Sequence, residues 1–223
     1  MQTVAAVYTS MNIVSSIQAL FDELLPEVRL INIADSSLIQ DVIAAGGVTD
    51  AVTRRLVHYW QAAEHTGADL IFNTCSSVGE IVALGQHLVD TPIVQIDHAM
   101  AELAVRQSGA SIGVLATLPT TLGPTVRLVQ RKAEEAGTSV RVFEGLAEGA
   151  YQQLVSGNSA DHDHRILAAA ESLVGRVDLF LLAQASMGRM QGALAAATNR
   201  PVLTSPRLGV EAVARRLETM ASG

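Results

Sequence analysis

Cys75 is the only cysteine of the chain, in Asp69-Leu-Ile-Phe-Asn-Thr-Cys75-Ser-Ser-Val-Gly-Glu80. The apolar run Leu70 to Phe72 reads as a buried strand. Asn73 to Ser77 reads as a polar loop, and Val78 onward as the start of a helix. Parallel α/β sheets place their chemistry at such turns, outside the carboxyl ends of the strands. The base of a first helical turn is electropositive, and that field favours a thiolate able to act as base or nucleophile. A lone cysteine is also commonly a small buried hydrophobe, so the pattern around it has to decide.

One cysteine excludes an internal disulfide and any multi-cysteine metal site. Asp161-His-Asp-His164 has metal-ligand types, but acidic residues are ordinary in a first helical turn, and the stretch reads as a solvated helix start. Asp97-His98 follows an apolar run, where His98 could be an acid or base and Asp97 equally a helix cap. His58, His65 and His87 fall on helices and read as surface residues. Tyr59 and Trp60 read as core or as a subunit face, and Tyr151 as core or as a cover over the site. No glycine-rich phosphate loop is present, and Ser186 lacks the flanking glycines of a nucleophile elbow.

The elements that must position these residues alternate. Strands are predicted at Val4–Tyr8, Val28–Ile33, Leu70–Phe72, Pro92–Asp97, Ser111–Ala116, Val140–Phe143, Asp178–Ala183 and Pro201–Pro206. Helices are predicted at Ile13–Leu25, Val48–Thr66, from Val78, and at His98–Ser108, Val126–Ala136, Glu148–Val155, Asp161–Val174 and Leu208–Met220. Ala34 to Gly47 reads as a loop with some helical potential, and Thr117 to Thr121 as the loop that ends a strand. Apolar strands alternating with helices imply parallel sheets covered on both faces.

The pattern runs twice. An offset of 109 places Asp69 on Asp178, Cys75 on Gln184, Ser77 on Ser186 and Pro92 on Pro201. An offset of 107 places Ala5–Ser10 over Ile112–Thr117. The expectation is two similar α/β domains related by a pseudo-twofold axis, residues 1–97 with 207–223 and residues 98–206, whose strand ends meet at a ligand cleft.

Of the 223 residues, 49% are apolar, so a sizeable core is available; the formal charge is −7, with no basic block. This argues against nucleic acid and anionic membrane as partners but leaves room for a small anionic substrate. No apolar run reaches the roughly 20 residues that span a bilayer. The start of the chain has no signal-peptide pattern, and a cytoplasmic location is expected.

Asn73-Thr-Cys75-Ser-Ser, Ile112-Gly-Val-Leu-Ala-Thr117 followed by Thr120-Thr121, and Asp178-Leu-Phe-Leu-Leu-Ala, in this order and spacing, resemble the aspartate/glutamate racemase superfamily. That group includes hydantoin racemases, maleate isomerases and arylmalonate decarboxylase. The resemblance covers nearly the whole chain. It implies an enzyme without cofactor or metal, acting at the carbon beside the carboxylate of a small organic acid, in a homo-oligomer. It assigns Cys75 as the catalytic thiol and Ser10, Asn73, Thr74, Ser76, Thr117, Thr120, Thr121, Gln184 and Ser186 as substrate-binding. Neutral hydroxyls, amides and main-chain N–H groups suit a carboxylate and the charge that builds on it.

One departure bears on the chemistry. The family's racemases use two thiols on opposite faces of the substrate, and here Gln184 stands where the second is expected. Four readings remain open. They are one-sided decarboxylation and protonation, covalent addition of the thiolate to a double bond, epimerisation with water or a substrate group as the second proton carrier, and a non-catalytic site that only binds a small acid.

Overall fold

The computed structural model describes residues 1–108 and 111–222. Chain-contact density divides it into two units, Met1–Ile96 with Pro206–Gly223, and Asp97–Ser205.

The first unit is built on four parallel strands: β1 (Thr3–Tyr8), β2 (Arg29–Ala34), β3 (Leu70–Asn73) and β4 (Ile93–Gln95), in the order β2-β1-β3-β4. Every residue of β1 and β3 is buried, as expected of central strands covered on both faces, whereas the edge strand β2 is partly exposed. Helices α1 (Val14–Leu24), α2 (Ser37–Ala45), α3 (Asp50–His65) and the single turn α4 (Val82–Gly85) connect the strands. Thr49 caps α3 by accepting the Val52 N–H, with Asp50 in the first turn and His65 in the last, as the helix dipole favours. Trp60, Leu56 and Val52 of α3 pack with Ala5, Val7, Ile71 and Val78 in the core of this unit.

The second unit repeats the plan. After α5 (His98–Ser108) come β5 (Ser111–Ala116), α6 (Pro119–Glu135), β6 (Arg141–Leu146), α7 (Ala150–Val155), α8 (Ser159–Glu171), β7 (Leu179–Leu182), α9 (Gln191–Thr198) and β8 (Val202–Thr204), with sheet order β6-β5-β7-β8. Its core joins Leu115, Phe180 and Leu182 to Ile166, Ala170, Met187 and Leu194. The closing helix α10 (Ser205–Ala221) belongs, from Pro206 on, to the first unit.

Three expectations are corrected. The stretch Ala34 to Gly47 is not mainly loop, because α2 occupies Ser37–Ala45. Thr120 and Thr121 do not lie in a loop: α6 starts at Pro119, whose fixed φ suits a first helical position, so both threonines sit in its first turn. The halves also superpose differently. Thr3 pairs with Arg29 and Leu70 with Val4, while Ser111 pairs with Arg141 and Leu179 with Ile112. Thr3 therefore corresponds to Ser111, an offset of 108 and not 107. The residue matching Thr117 is Thr9, not Ser10.

The bonds around the strand starts repeat as well. Asp69 Oδ2 accepts from the Thr3 N–H at 2.7 Å, and Asp178 Oδ2 from the Ser111 N–H at 3.1 Å. Pro92 O accepts from Ile71 N–H and Pro201 O from Phe180 N–H, both at 2.9 Å.

Candidate functional site

The residues singled out from the sequence gather at the carboxyl ends of the two sheets. In the first unit, β3 ends at Asn73 and the chain turns through Thr74 to Cys75, which is extended and precedes a 3-10 turn, Ser76–Ile81. The Thr74 N–H and hydroxyl both donate to Val7 O, at 3.1 and 2.9 Å, tying the loop to the end of β1. Asn73 Nδ2 donates to Cys75 O at 3.2 Å, while its Oδ1 is buried with no partner among the described residues. Ser76 is buried beside them. Ser10 is half-buried, and its Oγ accepts from the Asn12 N–H at 3.4 Å to cap the turn Met11–Ile13.

The Cys75 sulfur is the focus of this loop. Burial pushes the thiol up from its ordinary range. Hydrogen bonds from the Thr9 hydroxyl, the Ser77 and Val78 N–H groups and the Ser77 hydroxyl pull the other way without offsetting it. A thiolate-favouring helix terminus was expected here. The element that follows is a 3-10 turn leading into a four-residue α4, too short to build a strong dipole, and desolvation of the charged form wins. Thr9 was not singled out as a site residue, although it is 2% exposed and bonded to the sulfur. Gln95, at the end of β4, lies across the 3-10 turn: a Cβ on Gly79 would come within 2.0 Å of Gln95 Nε2.

In the second unit, the Thr117 N–H donates to Gln184 Oε1 at 2.6 Å and Gln184 Nε2 donates to Thr117 Oγ1 at 2.7 Å. Thr120 Oγ1 is buried with no partner among the described residues, Thr121 is buried, and Ser186 is half-buried. The loop carrying Gln184 and Ser186 is anchored from behind. Arg189 donates to both carboxylate oxygens of Asp163, at 2.7 Å to Oδ2, and His162 Nδ1 lies 2.7 Å from Asp163 Oδ1. Burial opposes ionisation of Asp163, but Arg189 and His162 hold its carboxyl below the usual range. The solvated helix start expected at Asp161–His164 is thus corrected, since His162 is fully buried and Asp163 is an anchor. No group of three His, Cys, Asp or Glu able to hold a metal occurs among the described residues.

Two further clusters surround the strand ends. Asp35, directly after β2, accepts from Ser37 Oγ and Tyr59 Oη, each at 2.6 Å, and pairs with Arg55, which also reaches Asp41 at 2.7 Å. Burial raises Asp35, and the donors Ser37, Tyr59 and Arg55 overcome it, leaving the carboxyl far below its ordinary range. Tyr59 and Arg55 are four apart on α3, a spacing that could have suggested a shared partner. His98 is lowered by burial and sits among the charges of Asp97, Lys132, Arg131 and Glu102. Trp60 is core, while His58, His65 and His87 are exposed.

Paired four-stranded parallel sheets, each with its polar residues at the carboxyl ends of the strands, define an α/β fold shared with known racemases. By sequence, the chain belongs to the Asp/Glu/hydantoin racemase family, whose model matches residues 4–213. Glutamate racemase from Bacillus anthracis superposes with a TM-score of 0.77 at 12% identity, over 98% of this chain and 82% of that one. Allantoin racemase from Klebsiella pneumoniae gives 0.73 at 13% identity, over 98% and 89%. Aspartate racemase from Picrophilus torridus gives 0.67 at 13% identity, over 92% and 90%. A comparison with curated protein sequences finds no match. No helix among the described residues is long and apolar enough to cross a membrane.

Proposed function

We propose that this racemase-family chain is a cofactor-independent isomerase or racemase-like enzyme of the cytoplasm. It acts at the carbon beside the carboxylate of a small organic acid, with Cys75 as its single catalytic thiol. The observation that carries this reading is the placement of Cys75, half-buried just past the carboxyl end of β3, in a loop that Thr74 ties to β1 and that holds an Asn73 Oδ1 buried with no partner among the described residues. Thr9, Ser77 and Val78 favour the charged form of the thiol, which a thiol passing through the thiolate needs.

The raised pKa sets the direction of the chemistry. Cys75 rests as the neutral thiol and is poised as the acid. The carbanion forms when water or a group of the substrate itself takes the proton from the opposite face, the C–H electrons passing to the adjacent carboxylate. Cys75 then gives its proton to that carbon, the S–H bond breaks as the new C–H bond forms, and the donors take up the charge left on sulfur; in the reverse direction the thiolate takes the proton and the water or substrate group returns one. In the second unit, the hydroxyls of Thr117 and Thr120 suit a carboxylate, as neutral donors that add no competing charge.

The test is proton exchange in deuterated water over a panel of small compounds, the acids glutamate and aspartate and the ring ureide allantoin, followed by NMR and chiral chromatography. Deuterium is expected at the carbon beside the carboxyl (or equivalent carbonyl) group of recovered substrate, and Cys75→Ala is expected to abolish it. Exchange that persists in Cys75→Ala removes the thiol from the mechanism, and label found only in a decarboxylated product makes the enzyme a lyase.

A further inference from the structure

Gln184 occupies the place in the second unit that Cys75 occupies in the first, and the structural register places Thr117 where the first unit has Thr9. In the first unit, the Thr9 hydroxyl is among the groups that favour the charged form of the Cys75 thiol. In the second, the Thr117 hydroxyl accepts a hydrogen bond from Gln184 Nε2 at 2.7 Å. The orientation of the carboxamide is not arbitrary. The Thr117 N–H can only donate, so the group 2.6 Å from it must be the amide oxygen, and the amide nitrogen is then the atom that meets the hydroxyl.

We infer that Gln184 is a positioning residue. By closing two hydrogen bonds on Thr117, it fixes that residue's main chain and occupies one lone pair of its hydroxyl. The amide nitrogen facing the hydroxyl cannot accept the hydroxyl proton, which is left to be given to another group. A carboxylate oxygen is the ligand group that suits it. A carboxamide does not titrate, so Gln184 neither takes nor gives the substrate proton and acts only through Thr117. The glutamine that replaces a thiol in the repeat has thus turned that position from proton transfer to anion recognition. This rests on the proposed reaction for its substrate class, but its test reads no turnover.

The experiment uses the intact ¹⁵N-labelled chain with malonate as the probe, in wild type, Gln184→Leu, Thr117→Val, Thr117→Ser and the double variant Gln184→Leu/Thr117→Val. Malonate is titrated against the amide signals of Thr117 and Thr120, and hydrogen exchange of the Thr117 amide is followed in parallel. Gln184→Leu is expected to speed exchange of the Thr117 amide at least tenfold, with the amides of β5 unchanged as the control for folding. It should weaken malonate about tenfold, the loss expected when a donor to a charged group is misdirected. Thr117→Ser should bind as wild type. Leucine at 184 should cost nothing further once Thr117 is valine, because a residue acting only through a neighbour is fully non-additive with it. An equal loss in the Thr117→Val background, unchanged malonate affinity in Gln184→Leu, or a wild type blind to malonate would each overturn the inference. A failed exchange test of the reaction itself, with these results intact, would leave it standing.

Discussion

Removing the Thr9 hydroxyl should slow the chemistry of Cys75 by a predictable amount. Thr9→Val keeps the shape of a side chain only 2% exposed and deletes one of the four donors to the sulfur. A hydrogen bond to a charged group contributes about 1.5–3 kcal/mol, and about 1.4 kcal/mol is a factor of ten. The thiolate fraction below the titration midpoint should therefore fall roughly 10- to 100-fold. The assay is the rate of alkylation by iodoacetamide as a function of pH, read by intact mass. In wild type the rate should still be climbing above the range of an ordinary thiol, near about 8.5, because burial raises Cys75. In Thr9→Val it should be lower by the stated factor at every pH below the plateau, and Thr9→Ser should restore it. Profiles of Thr9→Val and wild type that coincide, with both proteins folded, would refute the donor role of Thr9. A wild-type profile that levels off below neutrality would refute the claim that burial dominates.

Asp35 should govern acid stability at the end of β2. Its folded-state pKa is depressed, so its contribution is complete above the unfolded value near about 3.9 and is lost as pH falls below it. Asp35→Asn should cost about 1–2 kcal/mol at neutral pH, kept small by an Arg55 partner that is 36% exposed, and should flatten the acid limb of the stability curve measured by urea titration. In α10, a Cβ on Gly209 would lie 2.8 Å from Ile96 O, a main-chain atom that cannot step aside. Gly209→Ala should destabilise by about 1–3 kcal/mol, visible as a fall of several degrees in Tm by calorimetry. A neutral result would mean that α10 shifts at no cost.

The alternation of apolar runs and helices, the doubling of the pattern and the placing of Cys75 after a buried strand were legible from residue order. A central parallel strand is buried on both faces and so writes itself as an unbroken apolar run. For the same reason its register was not legible. Val4-Ala-Ala-Val-Tyr8 and Ile112-Gly-Val-Leu-Ala116 carry no polar alternation, so sliding one past the other by a residue costs nothing in pattern. Pairing with β3 and β7 sets the slide at 108 and brings Thr9, not Ser10, into the place matched by Thr117. The burial of His162 is hidden from the sequence for a related reason. Its neighbours Asp161, Asp163 and His164 look solvated, and only the packing of α8 turns one of the four inward. Local sequence thus names the thiol and the turn that carries it. Whether that thiol rests charged or neutral depends on how much water the fold removes and how many donors it returns. That balance belongs in part to Thr9, 66 residues away in the chain, which only tertiary structure brings to the Cys75 loop.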